Sequence, residues 1–469
     1  MHHDSQTSKL KIAIAGASGF VGRSLVDTLA PKAQVVGLSR SRSGESLVGG
    51  THLVSWRQCD LFSQIQLEEA LQGCDVGIYL VHSMLPSAAL VQARFEDLDL
   101  ILADNFAAAA RKCGLKHIVY LSGIIPTDAP LKWSEHLRSR FEVEQVLRTS
   151  GIPVSVCRAG VIVGPGGSSL EILKRLIMRL PILVCPRWTQ SLSSPVSLGR
   201  VIEALEYLAL DAPTDSKVYD IGESFSLSYI DMMKETTRAL GLKRIFIPVK
   251  TFSPKLSRLW VSVVTGAPRD LVYPLVMSLG HSLVPRKENQ LLNFGMDHHF
   301  SDLLKLGLLS ERPPHAFKGG PRQRFTVRSV QRLTIGAELT APEIAKEYMS
   351  WLGSFFRPFI KVVVRGNVIG FYFVFLRPAL LILTFSETRS DDHRVLFYTR
   401  GGLLARRRGR GRLEFRILSG MGMVLAAIHD FHPRLHWQIY RSTQALVHLW
   451  VMHSFGRHLA RLAAKPRAV

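Results

Sequence analysis

From residue 9 to about residue 160 the chain alternates short apolar runs with longer stretches whose apolar residues recur every three or four positions. The runs suit buried strands and the longer stretches suit amphipathic helices, so their alternation predicts an α/β architecture, a doubly wound parallel sheet covered by helices on both faces. Strands are expected at residues 10–15, 34–38, 52–58, 76–81, 117–121 and 154–158. Helices are expected at 67–72, 89–113 and 134–149, the last stopped by Ser150-Gly151-Ile152-Pro153.

The pattern then loosens. Over residues 161–310, Pro181, Pro186, Pro195, Pro248, Pro254, Pro268, Pro274 and Pro285 break the chain into short elements, which suits a small substrate lobe over the strand ends. Residues 311–323 have the Pro, Gly and charged composition of a linker. A separate α+β domain is expected over 324–469, with a first strand at 325–333, a helix at 341–352, further strands at 394–399 and 412–417, and a long helix at 438–464. In that helix Ile439, Leu446, Leu449, Met452 and Leu459 form one apolar stripe, the pattern of a core-facing side. The apolar runs at 368–376 and 379–385 are separated by Arg377-Pro378. A membrane-spanning helix needs about 20 apolar residues without such a break, so two strands joined by a turn are expected.

Length and composition narrow this picture. At about 150 residues per domain, 469 residues make two or three domains, and 47% hydrophobic against 20% charged residues describes a folded chain. The net charge of +22 favours anionic partners. The last 69 residues hold twelve Lys and Arg against Glu414 and Asp430, including the run Arg406–Arg412, so contact with an anionic membrane surface is expected there and nucleic acid is not favoured. The five cysteines show no C-x-x-C spacing and read as buried free thiols. With no apolar segment near Met1, a cytoplasmic location is expected, peripheral to the membrane where the basic region makes contact.

The chemistry concentrates at the strand ends. Lys11-Ile-Ala-Ile-Ala-Gly16-Ala-Ser18-Gly19-Phe20-Val21-Gly22 runs a strand into a glycine-rich turn and then a helix. Glycines so placed let the chain turn tightly, let backbone amides approach a pyrophosphate, and let helix and sheet pack closely. A dinucleotide is therefore the expected cofactor, held by Gly16, Ser18, Gly19, Phe20, Val21 and Gly22. The second strand ends in Ser39-Arg40-Ser41-Arg42, with no carboxylate to hold ribose hydroxyls. Arg40 and Arg42 suit an adenosine 2′-phosphate, which favours NADP(H) over NAD(H). Asp60 and Leu61 are expected near the adenine, and Val81, His82 and Ser83 at the crevice. Ser122, at the end of the fifth strand, offers a hydroxyl to a substrate carbonyl. His429, His432 and His436 lack the spacing of a metal site, and no metal is expected.

The segments 16–22, Cys59-Asp60-Leu61, Leu80-Val-His-Ser-Met84, Leu121-Ser-Gly123, His136-Leu-Arg-Ser-Arg140, Arg158-Ala-Gly-Val-Ile-Val-Gly164 and Pro186-Arg-Trp188 occur in an order that resembles the atypical, NmrA-like branch of the short-chain dehydrogenase/reductases. The resemblance covers about the first 300 residues and implies a Rossmann fold, NAD(P) binding and a lobe that completes a substrate pocket. Active members of that superfamily use a Tyr-x-x-x-Lys pair, and here the aligned positions are His136 and Arg140. A histidine donates a proton near neutral pH and an arginine holds ribose hydroxyls without losing its own. The resemblance assigns catalysis to Ser122, His136 and Arg140. Two readings stand: an NADP(H)-dependent oxidoreductase acting on a hydrophobic carbonyl, enone or quinone-like substrate, or a cofactor-binding sensor or assembly protein without catalysis. The last domain resembles the START-like (SRPBCC) fold, which implies a curved sheet around a long helix and a cavity for a hydrophobic small molecule.

Overall fold

The computed structural model describes residues 9–40, 46–48, 52–82, 88–127, 133–211, 213–249, 254–291, 298–308, 323–335, 339–407, 411–418 and 420–464. Arg42, Ser83 and nearly all of the 311–323 linker lie outside the described residues.

The chain begins with β1 (Lys11–Ala15), α1 (Phe20–Leu29), β2 (Gln34–Ser39), β3 (Ser46–Val48), β4 (His52–Gln58), α2 (Gln64–Leu71) and β5 (Val76–Tyr79). There follow β6 (Ala88–Gln92), α3 (Phe95–Cys113), β7 (His117–Gly123), α4 (Glu135–Arg148) and β8 (Val154–Ala159). The proline-rich stretch supplies β9 (Ile162–Val163), α5 (Ser168–Arg179), β10 (Ile182–Pro186), β11 (Leu192–Ser193), β12 (Val196–Ser197), α6 (Leu198–Leu210) and β13 (Lys217–Ile221). It continues with β14 (Leu227–Ser228), α7 (Tyr229–Ala239), β15 (Ile245–Val249), α8 (Pro254–Thr265), α9 (Arg269–Ser278) and α10 (Phe300–Leu308). The remainder is β16 (Gln323–Thr334), α11 (Ala341–Phe355), β17 (Ile360–Arg365), β18 (Val368–Phe373), β19 (Ala379–Phe385), β20 (Arg394–Gly401), β21 (Arg412–Leu418), β22 (Met423–Phe431), α12 (Trp437–Ser442) and α13 (Gln444–Ala464).

These elements form two compact units, residues 1–84 with 99–318 and residues 85–98 with 319–469. In the first, the sheet order is β13-β8-β7-β5-β1-β2-β4-β3. Every pair is parallel except β3 with β4. Strands buried on both faces read as unbroken apolar runs, and Ile12, Ile14, Val35, Ile78 and Val119 pack with Leu25, Val26 and Leu29 of α1 and Val201, Leu205 and Leu208 of α6. From β1 the chain winds outward through β2, then returns to place β5 on the other side of β1. That reversal opens a crevice at the carboxyl ends of β1 and β5. The outermost strand, β13, comes from the proline-rich stretch, whose helices α5, α7, α8 and α9 share a separate core around Ile177, Met233, Val261 and Val272.

The helix expected over 89–113 is corrected at its start. Residues 88–92 form β6, and α3 begins only at Phe95. Ala88-Ala-Leu-Val-Gln92 is short and apolar, equally fit for either element, and its strand form comes from pairing beside β16, with Leu90 against Val327 and Val91 against Arg328.

In the second unit the strands run β17-β18-β19-β20-β21-β22-β16-β6, antiparallel except for β6. The two apolar runs at 368–385 are the hairpin β18–β19, and among the described residues no helix is long and apolar enough to cross a membrane. Leu413 and Phe415 of β21 join a core with Tyr348 and Leu352 of α11 and Met452, Phe455 and Leu459 of α13, while Arg412, Glu414 and Arg416 alternate with them along the strand. Thr340 starts α11 with a capping box, its hydroxyl accepting from Glu343 N and the Glu343 carboxylate accepting from Thr340 N at 2.7 Å.

The single final helix expected over 438–464 is corrected to two, α12 and α13, broken at Thr443, where φ and ψ are −129° and −83°. The expected stripe holds in part: Met452 and Leu459 are buried together with Ala445, Val451 and Phe455, Leu449 is half-buried, and Ile439, set on the separate α12, and Leu446 are 53% and 56% exposed. Cys59, Cys74, Cys157 and Cys185 are buried free thiols and Cys113 is half-buried. Burial pushes the Cys59 thiol up to about 12, leaving it protonated and unreactive at neutral pH.

Candidate functional site

The glycine turn leaves β1 at Gly16, whose φ of +91° an L side chain rarely adopts. Gly19 N donates to Gly16 O at 2.9 Å, closing the turn, and Gly19 then stands at the N-cap of α1. A Cβ on Gly22 would lie 2.2 Å from Gly16 O and 2.8 Å from Ala17 Cα, so only glycine lets the first turn of α1 approach the strand this closely. No side chain caps α1 and its first turn holds no acidic residue, which leaves its amides and the positive end of its dipole available to an anion. These features fit a dinucleotide pyrophosphate. Ser18 is exposed, Phe20 and Val21 are half-buried, and Arg23 donates from Nε to Ser18 O at 3.0 Å, bracing the turn. The Phe20 ring lies so close to Gly167 that a Cβ there would stand 3.1 Å from the ring.

Along the crevice, β2 ends at half-buried Ser39 and is followed by exposed Arg40, whose carbonyl accepts from Gln58 Nε2 at 3.2 Å. After β4, Asp60 shapes its own loop. Its carboxylate accepts from Phe62 N at 3.2 Å, its N–H donates to Gln66 Oε1 at 2.8 Å, and Asn105 Nδ2 donates to Leu61 O at 2.9 Å. Beyond β5, Leu80 N still donates to Ala15 O at 3.0 Å, which keeps Val81 and His82 beside the glycine turn.

Helix α4 brings His136, Arg140 and Glu144 onto one stripe, since residues four apart share a helix face. Two side chains of β7 meet that stripe. Arg140 Nη1 donates to the Tyr120 hydroxyl at 3.3 Å, and Ser122 Oγ donates to Glu144 Oε1 at 2.8 Å. Glu144 is 1% exposed and also receives Arg158 through Nε at 3.0 Å and Nη2 at 2.6 Å. The Ser122 hydroxyl is thus engaged by a buried carboxylate–guanidinium pair.

His82 and His136 face each other with ring centroids 5.1 Å apart. His82 Nδ1 lies 2.5 Å from the buried Asp99 carboxylate, which also accepts from Ser139 Oγ at 3.2 Å. Burial first, then the neighbouring His82 and Arg140, hold His136 well below the usual histidine range, and burial with Arg140 lowers His82 as well. Both rings are neutral at pH 7. Burial pushes the Tyr79 and Tyr120 hydroxyls up, so neither supplies a phenolate, while Tyr120 and Asp99 help keep Arg140 charged.

The structure therefore gathers Gly16, Ser18, Gly19, Phe20, Val21, Gly22, Val81 and His82 around one turn and sets His136 and Arg140 beside His82. Asp99, Tyr120, Ser139, Glu144 and Arg158 complete this region and were given no role from the sequence. The spacing of 136, 140 and 144 was a usable signal, whereas Asp99 and Arg158 reach the region only through the sheet order. In the second unit His429 Nε2 pairs with Glu414 Oε1 at 3.0 Å, and burial pushes its ring down to about 4. No cluster fit to hold a metal occurs among the described residues.

The crevice and its glycine cradle are those of a dinucleotide-binding Rossmann fold. Residues 16–175 match the NAD(P)H-binding family. A 115-residue stretch is 29% identical to the auxiliary protein GraX of Staphylococcus aureus, covering 24% of this chain and spanning only 37% of GraX. Over 207 residues the chain is 27% identical to sanguinarine reductase of Eschscholzia californica, covering 36% of this chain and 75% of that enzyme. Among solved structures, a nucleoside-diphosphate-sugar epimerase from Staphylococcus aureus aligns with a TM-score of 0.50 at 17% identity, covering 63% of this chain and all of its own. Over residues 16–175 the first unit therefore carries an NAD(P)H-binding domain.

Proposed function

We propose that the first unit binds NADP(H) in preference to NAD(H) and reduces a hydrophobic carbonyl acceptor of the conjugated, enone or quinone-like type. The observation that carries this reading is the uncapped amino end of α1 above the glycine turn, with exposed Arg40 standing at the end of β2 where a carboxylate would serve NAD(H). The amides of the turn hold the pyrophosphate, and Arg40 forms charge-assisted hydrogen bonds with the 2′-phosphate. When bound, the nicotinamide supplies a hydride.

The acceptor class follows from His136. A ring kept neutral at pH 7 is a poor proton store, so an isolated ketone, whose alkoxide needs a proton at once, is served badly. A conjugated acceptor spreads the negative charge and takes its proton from water. Arg140, charged and half-buried, stabilises that charge, and His136 shapes the site and directs a neutral N–H. The similarity to an enzyme named as a reductase supports the direction of transfer.

The test is a titration with NADPH and NADH, followed by NADPH oxidation with a two-ring quinone and with an aliphatic ketone. Arg40→Ala is expected to weaken NADPH by roughly 10- to 100-fold, from about 1.5–3 kcal/mol for a charged hydrogen bond, and to leave NADH unchanged. A second reading, a sensor that binds the cofactor without turning it over, is favoured by the engagement of Ser122 with Glu144 and of Arg140 with Tyr120. Tight NADPH binding with no acceptor reduced selects it.

A further inference from the structure

A corner of the second unit combines uncompensated positive charge with exposed apolar side chains. Arg406, Arg407 and Arg434 line an open cavity of about 700 Å³ whose remaining walls are Pro378, Ala379, Ile382, Gly402, Leu403 and Ala405. All three arginines are exposed, and among the described residues no carboxylate pairs with any of them. The two acidic residues of the last 69 are engaged elsewhere: Glu414 with Arg394, Arg416 and His429, and Asp430 with Arg328 and Arg412.

Backbone hydrogen bonds anchor the main chain at two of these arginines. Arg406 N donates to His432 O at 3.0 Å and Arg434 N to Leu404 O at 3.2 Å, across a bridge between Ala405 and Pro433. Gly401 leaves room for the Arg407 stem, since a Cβ there would lie 2.7 Å from Arg407 Cγ. Pro378 and Ala379 on the cavity wall continue directly into the β18–β19 turn, where Val374, Phe375 and Leu376 are 55%, 74% and 47% exposed. Two backbone hydrogen bonds hold the turn, Leu376 N donating to Phe373 O at 2.9 Å and Val374 N to Phe359 O at 2.9 Å, and the Phe373 and Phe375 ring centroids lie 5.6 Å apart. Holding such side chains in water is unfavourable, and an apolar patch rimmed by cations fits an interface between headgroups and acyl chains.

We propose that this corner docks on an anionic phospholipid surface, with Val374, Phe375 and Leu376 entering the apolar layer and Arg406, Arg407 and Arg434 taking lipid phosphates at the cavity mouth. The contact is peripheral. A nucleic acid satisfies the arginines but offers no acyl layer for the turn.

The experiment is co-sedimentation of the full chain with vesicles of phosphatidylcholine alone and of phosphatidylcholine mixed with phosphatidylserine, at low and physiological salt. Binding to the anionic vesicles alone, weakened by salt, is expected. Losing one arginine at the surface lowers partitioning about fivefold, so Arg406→Gln with Arg434→Gln lowers it roughly 25-fold. Phe375→Ser lowers it about tenfold by removing buried aromatic area. NADPH titration of each variant checks that it is folded, and the comparison between lipids uses the unaltered chain, so it decides whatever the variants do. Equal binding to both vesicle types, or no binding to either, overturns the proposal. Saturable binding of a monomeric short-chain phosphatidic acid without vesicle binding assigns the cavity to a soluble anion, and tighter binding to single-stranded DNA than to anionic vesicles assigns the arginines to nucleic acid; either result also overturns it.

Discussion

Glu144→Gln tests whether the Ser122 hydroxyl belongs to the fold or to the chemistry. The carboxylate is buried and accepts from Arg158 at 3.0 and 2.6 Å and from Ser122 at 2.8 Å. Glutamine keeps the volume but offers one oxygen and turns an amide donor toward a guanidinium. Arg158 cannot release its proton, and Asp220 is the other carboxylate that it feels. Breaking a buried pair from one side costs about 3–5 kcal/mol. The amide oxygen and Asp220 place this case at the lower end, about 3 kcal/mol, a roughly 100-fold shift in the unfolding equilibrium. At a urea slope near 3 kcal/mol/M, the midpoint of the first unit falls by about 1 M. Ser122→Ala removes only one donor to the same carboxylate, so about 1–2 kcal/mol is lost, with NADPH binding and turnover retained. Urea unfolding followed by fluorescence, alongside an NADPH oxidation assay, reads both variants. A loss below about 1 kcal/mol for Glu144→Gln, or a Ser122→Ala variant that is inactive yet fully stable, would refute the structural assignment of Ser122.

Further outcomes are expected. Gly22→Ala places a Cβ against backbone atoms of Gly16 and Ala17 that cannot yield cheaply, so it costs about 1–3 kcal/mol by overpacking and weakens NADPH at least about tenfold, read by thermal melting and cofactor titration. Burial pushes His117 and His448 down to about 4, while the unfolded chain takes up these protons near pH 6.5. Their contribution is full above pH 6.5 and is lost as pH falls toward 4, about 2 kcal/mol per histidine by pH 5, and His117→Gln flattens its share in unfolding curves measured at pH 7 and pH 5. Phe455→Ala removes a fully buried ring 5.0 Å from Tyr348 and destabilises the second unit by about 3–5 kcal/mol, read by denaturant unfolding.

Local pattern by itself determined the parallel strands of the first unit from β1 to β8, the glycine turn and the hairpin at 368–385, because each is written in contiguous residues. A strand buried on both faces must be apolar throughout, and a turn closing beneath a helix must be glycine at Gly16 and Gly22. The position of His136 and Arg140 on one helical face was legible for the same reason. Tertiary structure alone decided the rest. Residues 88–92 are a strand because β16 offers hydrogen-bonding partners, and β13 joins the parallel sheet because β8 leaves an edge. The break at Thr443 set Ile439 on a helix separate from Met452 and Leu459, and packing of Val451, Met452, Phe455 and Leu459 into the core decided which face of α13 is inward. Ser122 looked like a free hydroxyl because Glu144 and Arg158, 22 and 36 positions further along, meet it only after α4 folds back onto the sheet. His136 looked like a proton donor because a sequence shows the imidazole but not the burial and the neighbouring Arg140 that keep it neutral. The sequence therefore determined which chemical groups the site holds, and the tertiary structure decided their charge and partners, since desolvation and pairing depend on what surrounds a side chain.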